Sequence, residues 1–181
     1  MIFLSVERHH LSSYIDLSEG LPVVFFHPNF SAHFNKTSDP PEFLKQLALE
    51  VISNIPDNAL FIYTDGSRNE HSRSSSGIYI KSQNYSSHIK LRNSDGCSVF
   101  PTELIAIDTG LKETLSIPGS NNIWILSDSR SAIQHLSNWY KVGDNTGVAI
   151  LEKLKHLSSR EIIYNGFLRM LTSWAMKLLT L

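Results

Sequence analysis

Three acidic residues offer the chemistry in this chain. Asp65 stands in "YTDGS", Glu103 in "FPTELIAIDTGL" and Asp128 in "ILSDSRSAI". Taken singly, each has an ordinary explanation. Asp-Gly between strands is commonly a turn, Asp before a helix commonly a cap, and a lone helical Glu commonly a solvated side chain. Taken together, they fall at the ends of elements that one sheet can bring side by side. Three clustered carboxylates repel one another unless a cation joins them. Oxygen ligands select Mg²⁺ or Mn²⁺. Two such ions roughly 3.5–4 Å apart can clamp a phosphodiester, one activating water and the other stabilising the leaving 3′ oxygen. The expected cofactor is therefore Mg²⁺ as two ions, with Mn²⁺ as a substitute, held by Asp65, Glu103 and Asp128. Gly66 and Ser67 beside Asp65, and Ser129, Arg130 and Ser131 after Asp128, are candidate contacts to substrate phosphates, with a plain surface role as the alternative. The eight histidines show no metal-ligand spacing, and His9-His10 reads as a solvated pair.

The elements around these residues follow from hydrophobic periodicity. "PPEFLKQLALEVISNIP" (40–56) predicts a helix with Phe43, Leu44, Leu47, Val51 and Ile55 on one face, stopped by Pro56. "ALFIYTDGS" (59–67) predicts a central strand covered on both faces and ending near Asp65. "GIYIKS" (77–82) and "YSSHIKLRN" (85–93) predict an antiparallel pair, with "SRSSSG" (72–77) as a loop or hairpin end. A helix follows at 100–115, with Phe100, Leu104, Ile107 and Leu111 at helical spacing and Glu103 among them, able to lean toward the sheet. "NIWILS" (122–127) is a short buried strand, and 128–140 a helix capped by Asp128 or Ser129. "VGDNTG" (142–147) reads as loop, 148–159 as an amphipathic helix and "REIIY" (160–164) as the last strand. "LPVVFFHPNFSAHF" (21–34) supports no clean period. The order is helix, β-β-β-α-β-α-α-β, then a tail, which implies an α/β fold: a mixed sheet with flanking helices. The first and fourth strands of that sheet can be parallel neighbours, placing Asp65 and Asp128 at the same carboxyl ends.

Composition sets the outer limits. The chain has 181 residues, 41% hydrophobic and 18% charged, enough to bury a core and unlike a disordered segment. Its formal net charge of -1 confines any basic surface to a local patch. The single cysteine, Cys97, fits a reducing compartment, so an intracellular setting, cytoplasm or nucleus, is expected. The opening "MIFL" is too short for a secretory signal, with Glu7, Arg8, His9 and His10 following at once. The apolar tail, interrupted by Arg169 and Lys177, falls short of the roughly 20 residues a spanning helix needs, so no membrane partner is expected.

With these residues in place the chain resembles a ribonuclease H type 1 domain. "YTDGS", "TELIAIDTGL" and "ILSDSRSAI" match that family's first three motifs in order, over about residues 59–164. The order Asp, Glu, Asp separates it from integrases and transposases of the same superfold. The resemblance implies a mixed sheet in the order β-β-β-α-β-α-β and Mg²⁺-dependent endonucleolytic cleavage of the RNA strand in RNA–DNA hybrids. It also implies a basic groove that reads the hybrid through its backbone and 2′-hydroxyls. The motif wording is most similar to the domain in polyproteins of non-LTR retrotransposons, where it follows a reverse transcriptase. On that reading residues 1–56 are a connecting segment, 57–164 the nuclease domain and 165–181 an atypical apolar tail, with a boundary near Pro56–Asn58.

One departure is plain. The family's last strand leads into a loop with a mobile His and a fourth metal-binding Asp, whereas here "NGFLRMLTSWAMKLLTL" follows "EIIY". Residues 162–181 contain no acidic side chain. Synonymous codons for Tyr164 to Leu181, read from the third base of the first codon, translate as "QWIPSHVDIVGNEAADT", which contains the missing loop. A reading-frame shift is therefore the expected origin of the tail, and loss of the fourth carboxylate is expected to weaken metal binding and slow catalysis. The alternative functions are a catalytically inactive nucleic-acid-binding remnant, using Lys81, Lys90 and Arg92, or a small interaction protein whose tail docks on a partner or on its own sheet.

Overall fold

The apolar run that begins at Leu60 becomes a central strand of a six-stranded sheet in the computed structural model, which describes residues 20–27, 39–119 and 122–166. In chain order the elements are β1 (Val24–His27), α1 (Pro41–Ser53), β2 (Leu60–Arg68), β3 (Ser74–Lys81), β4 (Ser86–Arg92), α2 (Val99–Leu115), β5 (Ile123–Ser127), α3 (Arg130–Ser137), α4 (Asn145–His156) and β6 (Ile162–Gly166). The sheet order is β1-β6-β5-β2-β3-β4. β2, β3 and β4 form an antiparallel meander, while β5 joins β2 in parallel, β6 joins β5, and β1 closes that side. The expected mixed α/β sheet is present, with its first and fourth predicted strands, β2 and β5, as parallel neighbours.

One face of the sheet carries the main core. Ile62, Ile78, Ile80, Ile123, Ile125 and Ile162 pack against Leu104, Ile107 and Leu111 of α2, Ile133 and Leu136 of α3, and Ile150 and Leu154 of α4. Each fully buried aliphatic side chain contributes roughly 1.5–3 kcal/mol by leaving water. Helix α2 lies close on the sheet because Gly110 faces β2: a Cβ there would stand 2.6 Å from Cγ2 of Ile62. Lys153 on α4 donates to Asp108 on α2 at 2.7 Å, an ion pair in the part-buried seam between the two helices. On the opposite face, Tyr63, Tyr79 and the ring of His88 form a row across β2, β3 and β4, with Tyr63 and Tyr79 buried. Burial, and secondarily the neighbouring Tyr79, pushes the Tyr63 hydroxyl up to about 12.

The differences from the sequence reading have local causes. Val24–His27, in a segment with no clean period, is an edge strand held by β6 and preceded by Pro22. This strand lies upstream of the expected boundary near Pro56–Asn58 and pairs with β6. β2 runs through Asp65 to Arg68, and Ser74–Ser76 of "SRSSSG" are strand rather than loop, because Ser67 and Arg68 still pair with Ser75 and Ser74. The turn falls at residues 69–73, where Ser72 takes a positive φ of 58° and the Arg73 amide donates to Oδ1 of Asn69 at 2.9 Å. α4 begins at Asn145, inside the segment read as loop, because Oδ1 of Asp144 accepts from the Gly147 amide at 2.7 Å and caps the helix. α3 ends at Ser137, and Trp139–Lys141 form a separate 3-10 turn. β6 continues to Gly166, two residues beyond the predicted strand. The apolar tail from residue 167 and most of residues 1–40 lie outside the described residues.

Candidate active site

The β2–β5 register builds the site. Thr64 pairs with Ser127, so Asp65, the next residue of β2, and Asp128, the residue that follows β5, stand side by side. Glu103 arrives from the second turn of α2, which packs over β2 and β3. One carboxylate oxygen from each of Asp65, Glu103 and Asp128 lies within 4.8 Å of the others. Glu103 is only 3% exposed, while Asp65 and Asp128 are half-buried and open toward solvent. Three carboxylates this close, one of them desolvated, carry mutual repulsion that a cation relieves. All three donors are hard oxygens, and among the described residues no thiolate or imidazole joins them in the cluster, so the set fits a divalent ion of the Mg²⁺ or Mn²⁺ class.

Small residues and caps keep these carboxylates in place. Gly66 lies under the first turns of α2, where a Cβ would stand 2.6 Å from Oγ1 of Thr102 and 2.8 Å from the Glu103 nitrogen. Asp-Gly thus serves here as an approach point for a helix inside a strand, not as a turn. At the other strand, Ser129 and not Asp128 is the cap of α3: its Oγ accepts from the Ala132 amide at 3.3 Å. Oγ of Ser127 in turn accepts from the Ser129 amide at 3.2 Å, which shapes the bend that presents Asp128. Arg130 and Ser131 are exposed at the start of α3, beside Asp128.

Ser67 belongs to a second feature. Paired residues on neighbouring strands point to the same face, so the register places Ser67, Ser75 and Arg92 in one row and Asp65, Gly77 and Lys90 in the row beside it. The hydroxyls of Ser67 and Ser75 are 2.8 Å apart. A cleft of about 300 Å³ opens at that end of the meander, lined by Ser67, Arg68, Asn69, Arg73, Ser74, Ser75 and Arg92. Nη2 of Arg68 donates to Ser72 at 3.1 Å, and Arg92 pairs with Asp95 at 3.2 Å on the open surface. The cleft therefore presents cationic and hydroxyl donors two residues along β2 from Asp65. Lys81 stands apart, opposite Phe61 at the far end of the strands. Arg68 and Arg73 escaped the sequence reading because their convergence depends on where the hairpin turns.

The sequence matches the family RNase H over residues 57–172. This chain belongs to the RNase H family. The family consists of endonucleases that cleave RNA in RNA–DNA hybrids, and the Asp, Glu, Asp cluster lies inside the matched span. Among solved structures, LC9-RNase H1, described as a type 1 RNase H with the type 2 active-site motif, has a TM-score of 0.50 at 10% identity, covering 69% of this chain and 72% of that one. LC11-RNase H1, isolated from compost by a metagenomic approach, has a TM-score of 0.49 at 18% identity, covering 67% and 92%. The N-terminal RNase H domain of a Mycobacterium tuberculosis protein, solved as a maltose-binding-protein fusion, has a TM-score of 0.48 at 16% identity, covering 66% and 89%. Among curated proteins no sequence matches. No helix among the described residues is long and apolar enough to cross a membrane.

Proposed function

We propose that this chain is the RNase H domain of a non-LTR retrotransposon polyprotein, cutting the RNA strand of RNA–DNA hybrids at a two-metal site of Asp65, Glu103 and Asp128. The observation that carries the reading is the convergence of those three carboxylates within 4.8 Å in an RNase H family chain. Mg²⁺ ions bound there would activate the attacking water and stabilise the leaving 3′ oxygen. Asp65 offers an oxygen from within β2, Asp128 from the residue after β5, and Glu103 from a buried helix turn, which holds the donor set in position before substrate arrives. The nuclease domain is assigned to residues 57–164. Ser67 and the arginine cleft on one flank, with Ser129 and Arg130 on the other, accept backbone phosphates of the hybrid. Gly66 contributes the close approach of α2 rather than a side chain. A reverse transcriptase is the expected fused neighbour, and the setting is cytoplasm or nucleus.

Turnover is reduced in this reading, because residues 162–181 bring no fourth carboxylate to the site. A frame shift after Tyr164 accounts for that loss. Sequencing the coding DNA across that codon checks it: codons incompatible with "QWIPSHVDIVGNEAADT" in the shifted frame rule it out.

The same observation favours the second reading, an inactive remnant that still binds nucleic acid. A cleavage assay on a labelled RNA–DNA hybrid in Mg²⁺, comparing the unaltered chain with Asp65→Asn, separates the two. Cleavage that falls about 100-fold or more in the variant supports the enzyme. Salt-dependent hybrid binding with no cleavage by either protein supports the remnant.

A further inference from the structure

The turn of α2 that carries Glu103 is tied to the sheet by a buried hydrogen-bond relay. Ser76 on β3 donates its hydroxyl proton to the main-chain carbonyl of Thr102 at 2.6 Å. Asn93, in the connection from β4 to α2, donates from Nδ2 to the same Ser76 oxygen at 2.9 Å. Ser76 is 1% exposed and Thr102 fully buried. A hydroxyl has one proton to give and lone pairs to accept. With Asn93 occupying a lone pair, the Ser76 proton is directed at the helix. The Thr102 carbonyl belongs to the residue immediately before Glu103, so the relay sets how close that turn comes to β3. Gly66 acts on the same turn from β2, where nothing larger than hydrogen fits.

We propose that Ser76 is a positioning residue for the metal site: through the Thr102 carbonyl it holds Glu103 at the distance from Asp65 and Asp128 that a shared cation requires, with Asn93 orienting its hydroxyl. The inference rests on the reading of these carboxylates as a metal centre. A purely structural hydroxyl exists on the same helix for comparison. Thr114, fully buried at the C-terminal end of α2, donates to the Leu111 carbonyl at 2.7 Å. Its bond also ends on an α2 carbonyl, but it lies within the helix and away from Glu103.

The test is calorimetric titration of the full chain with Mn²⁺, alongside thermal melting without metal, for the unaltered protein, Ser76→Ala, Asn93→Ala and Thr114→Ala. Ser76→Ala weakens Mn²⁺ affinity roughly tenfold, within the range for groups that support metal ligands from behind. Asn93→Ala weakens it less, in the same direction. Thr114→Ala lowers the melting temperature and leaves the affinity unchanged. Unchanged affinity in Ser76→Ala, or an equal loss in Thr114→Ala, overturns the proposal. Should Ser76→Ala not fold, unchanged affinity in Asn93→Ala overturns it. No Mn²⁺ binding by the unaltered chain overturns the metal-centre reading itself, and the inference with it.

Discussion

Gly66 lies directly beneath Glu103: a Cβ added to the glycine would stand 2.8 Å from both the amide nitrogen and the carboxyl carbon of that glutamate. The β2 backbone at Gly66 meets the Thr102 and Glu103 side chains and the Glu103 backbone with no room for a side chain of its own. Gly66→Ala forces the helix start away from the strand, because the obstructing atoms include backbone. The expected result is a loss of about 1–3 kcal/mol in stability, typical of overpacking, with Mn²⁺ affinity falling as Glu103 is displaced. Denaturant unfolding and metal titration measure the two effects. A variant as stable as the parent would show that the close approach is relaxed in solution.

The arginine cleft predicts a salt signature. In an Asp65→Asn background, which keeps the hybrid intact, Arg73→Ala and Arg92→Ala should each lower the slope of log K against log salt by about 0.7–0.9, the release of one phosphate contact. Lys81→Ala should leave the slope as it is, because Lys81 stands at the far end of β3 opposite Phe61. Filter binding or fluorescence anisotropy at several salt concentrations gives the slopes. Equal effects at all three positions would mean diffuse attraction and no role for the cleft.

Asp144 predicts a pH dependence. Burial raises its pKa, but the Gly147 amide and His135 outweigh that effect and hold the carboxyl below its ordinary value. Nε2 of His135 is 2.7 Å from Oδ2 of Asp144. A carboxylate with a depressed folded pKa adds stability above its unfolded value of ~3.9, and that stability is lost as pH falls through the folded pKa. Asp144→Ala should therefore cost about 1 kcal/mol near neutral pH, the usual loss of a helix cap. The difference from the parent should shrink steadily as pH drops below ~4. Melting curves across that range check it, and a gap that stays constant into acid would exclude the carboxylate as its source.

The upstream strand makes its own prediction. Phe26 stacks on Tyr164 with ring centroids 4.8 Å apart and packs on the core, whereas Phe25 on the same strand is 43% exposed. Phe26→Ala should cost about 2 kcal/mol, below the full aromatic-to-alanine loss because the ring is only partly buried. Phe25→Ala should stay within about 0.5 kcal/mol of the parent. Denaturant midpoints distinguish them, and equal effects would argue that β1 does not hold the register with β6.

Much of this fold is legible in the sequence alone. The amphipathic faces of α2 and α4 and the apolar run into Asp65 are local patterns, and local periodicity reports them. Glu103 was readable as inward-leaning because it sits among Phe100, Leu104 and Ile107 on one helical face. Strand ends were less readable. Gly66 looked like a turn because Asp-Gly usually is one, and only pairing with β3 out to Arg68 and Ser74 showed that the strand continues. The capping role of Asp144 was hidden among turn-forming residues that serve a loop equally well.

The sequence by itself singled out three carboxylates that the fold brings together, gave their order, and placed their elements in a mixed sheet. Motif order and hydrophobic period are properties of neighbouring residues, so they survive without coordinates. The tertiary structure alone decided that Thr64 pairs with Ser127, that Val24–His27 joins the sheet, that three arginines share one cleft, and that Ser76 supports the turn bearing Glu103. Those facts depend on strand register and helix approach between residues far apart in the chain. A register shift of one residue would turn every side chain to the other face while leaving the sequence pattern unaltered.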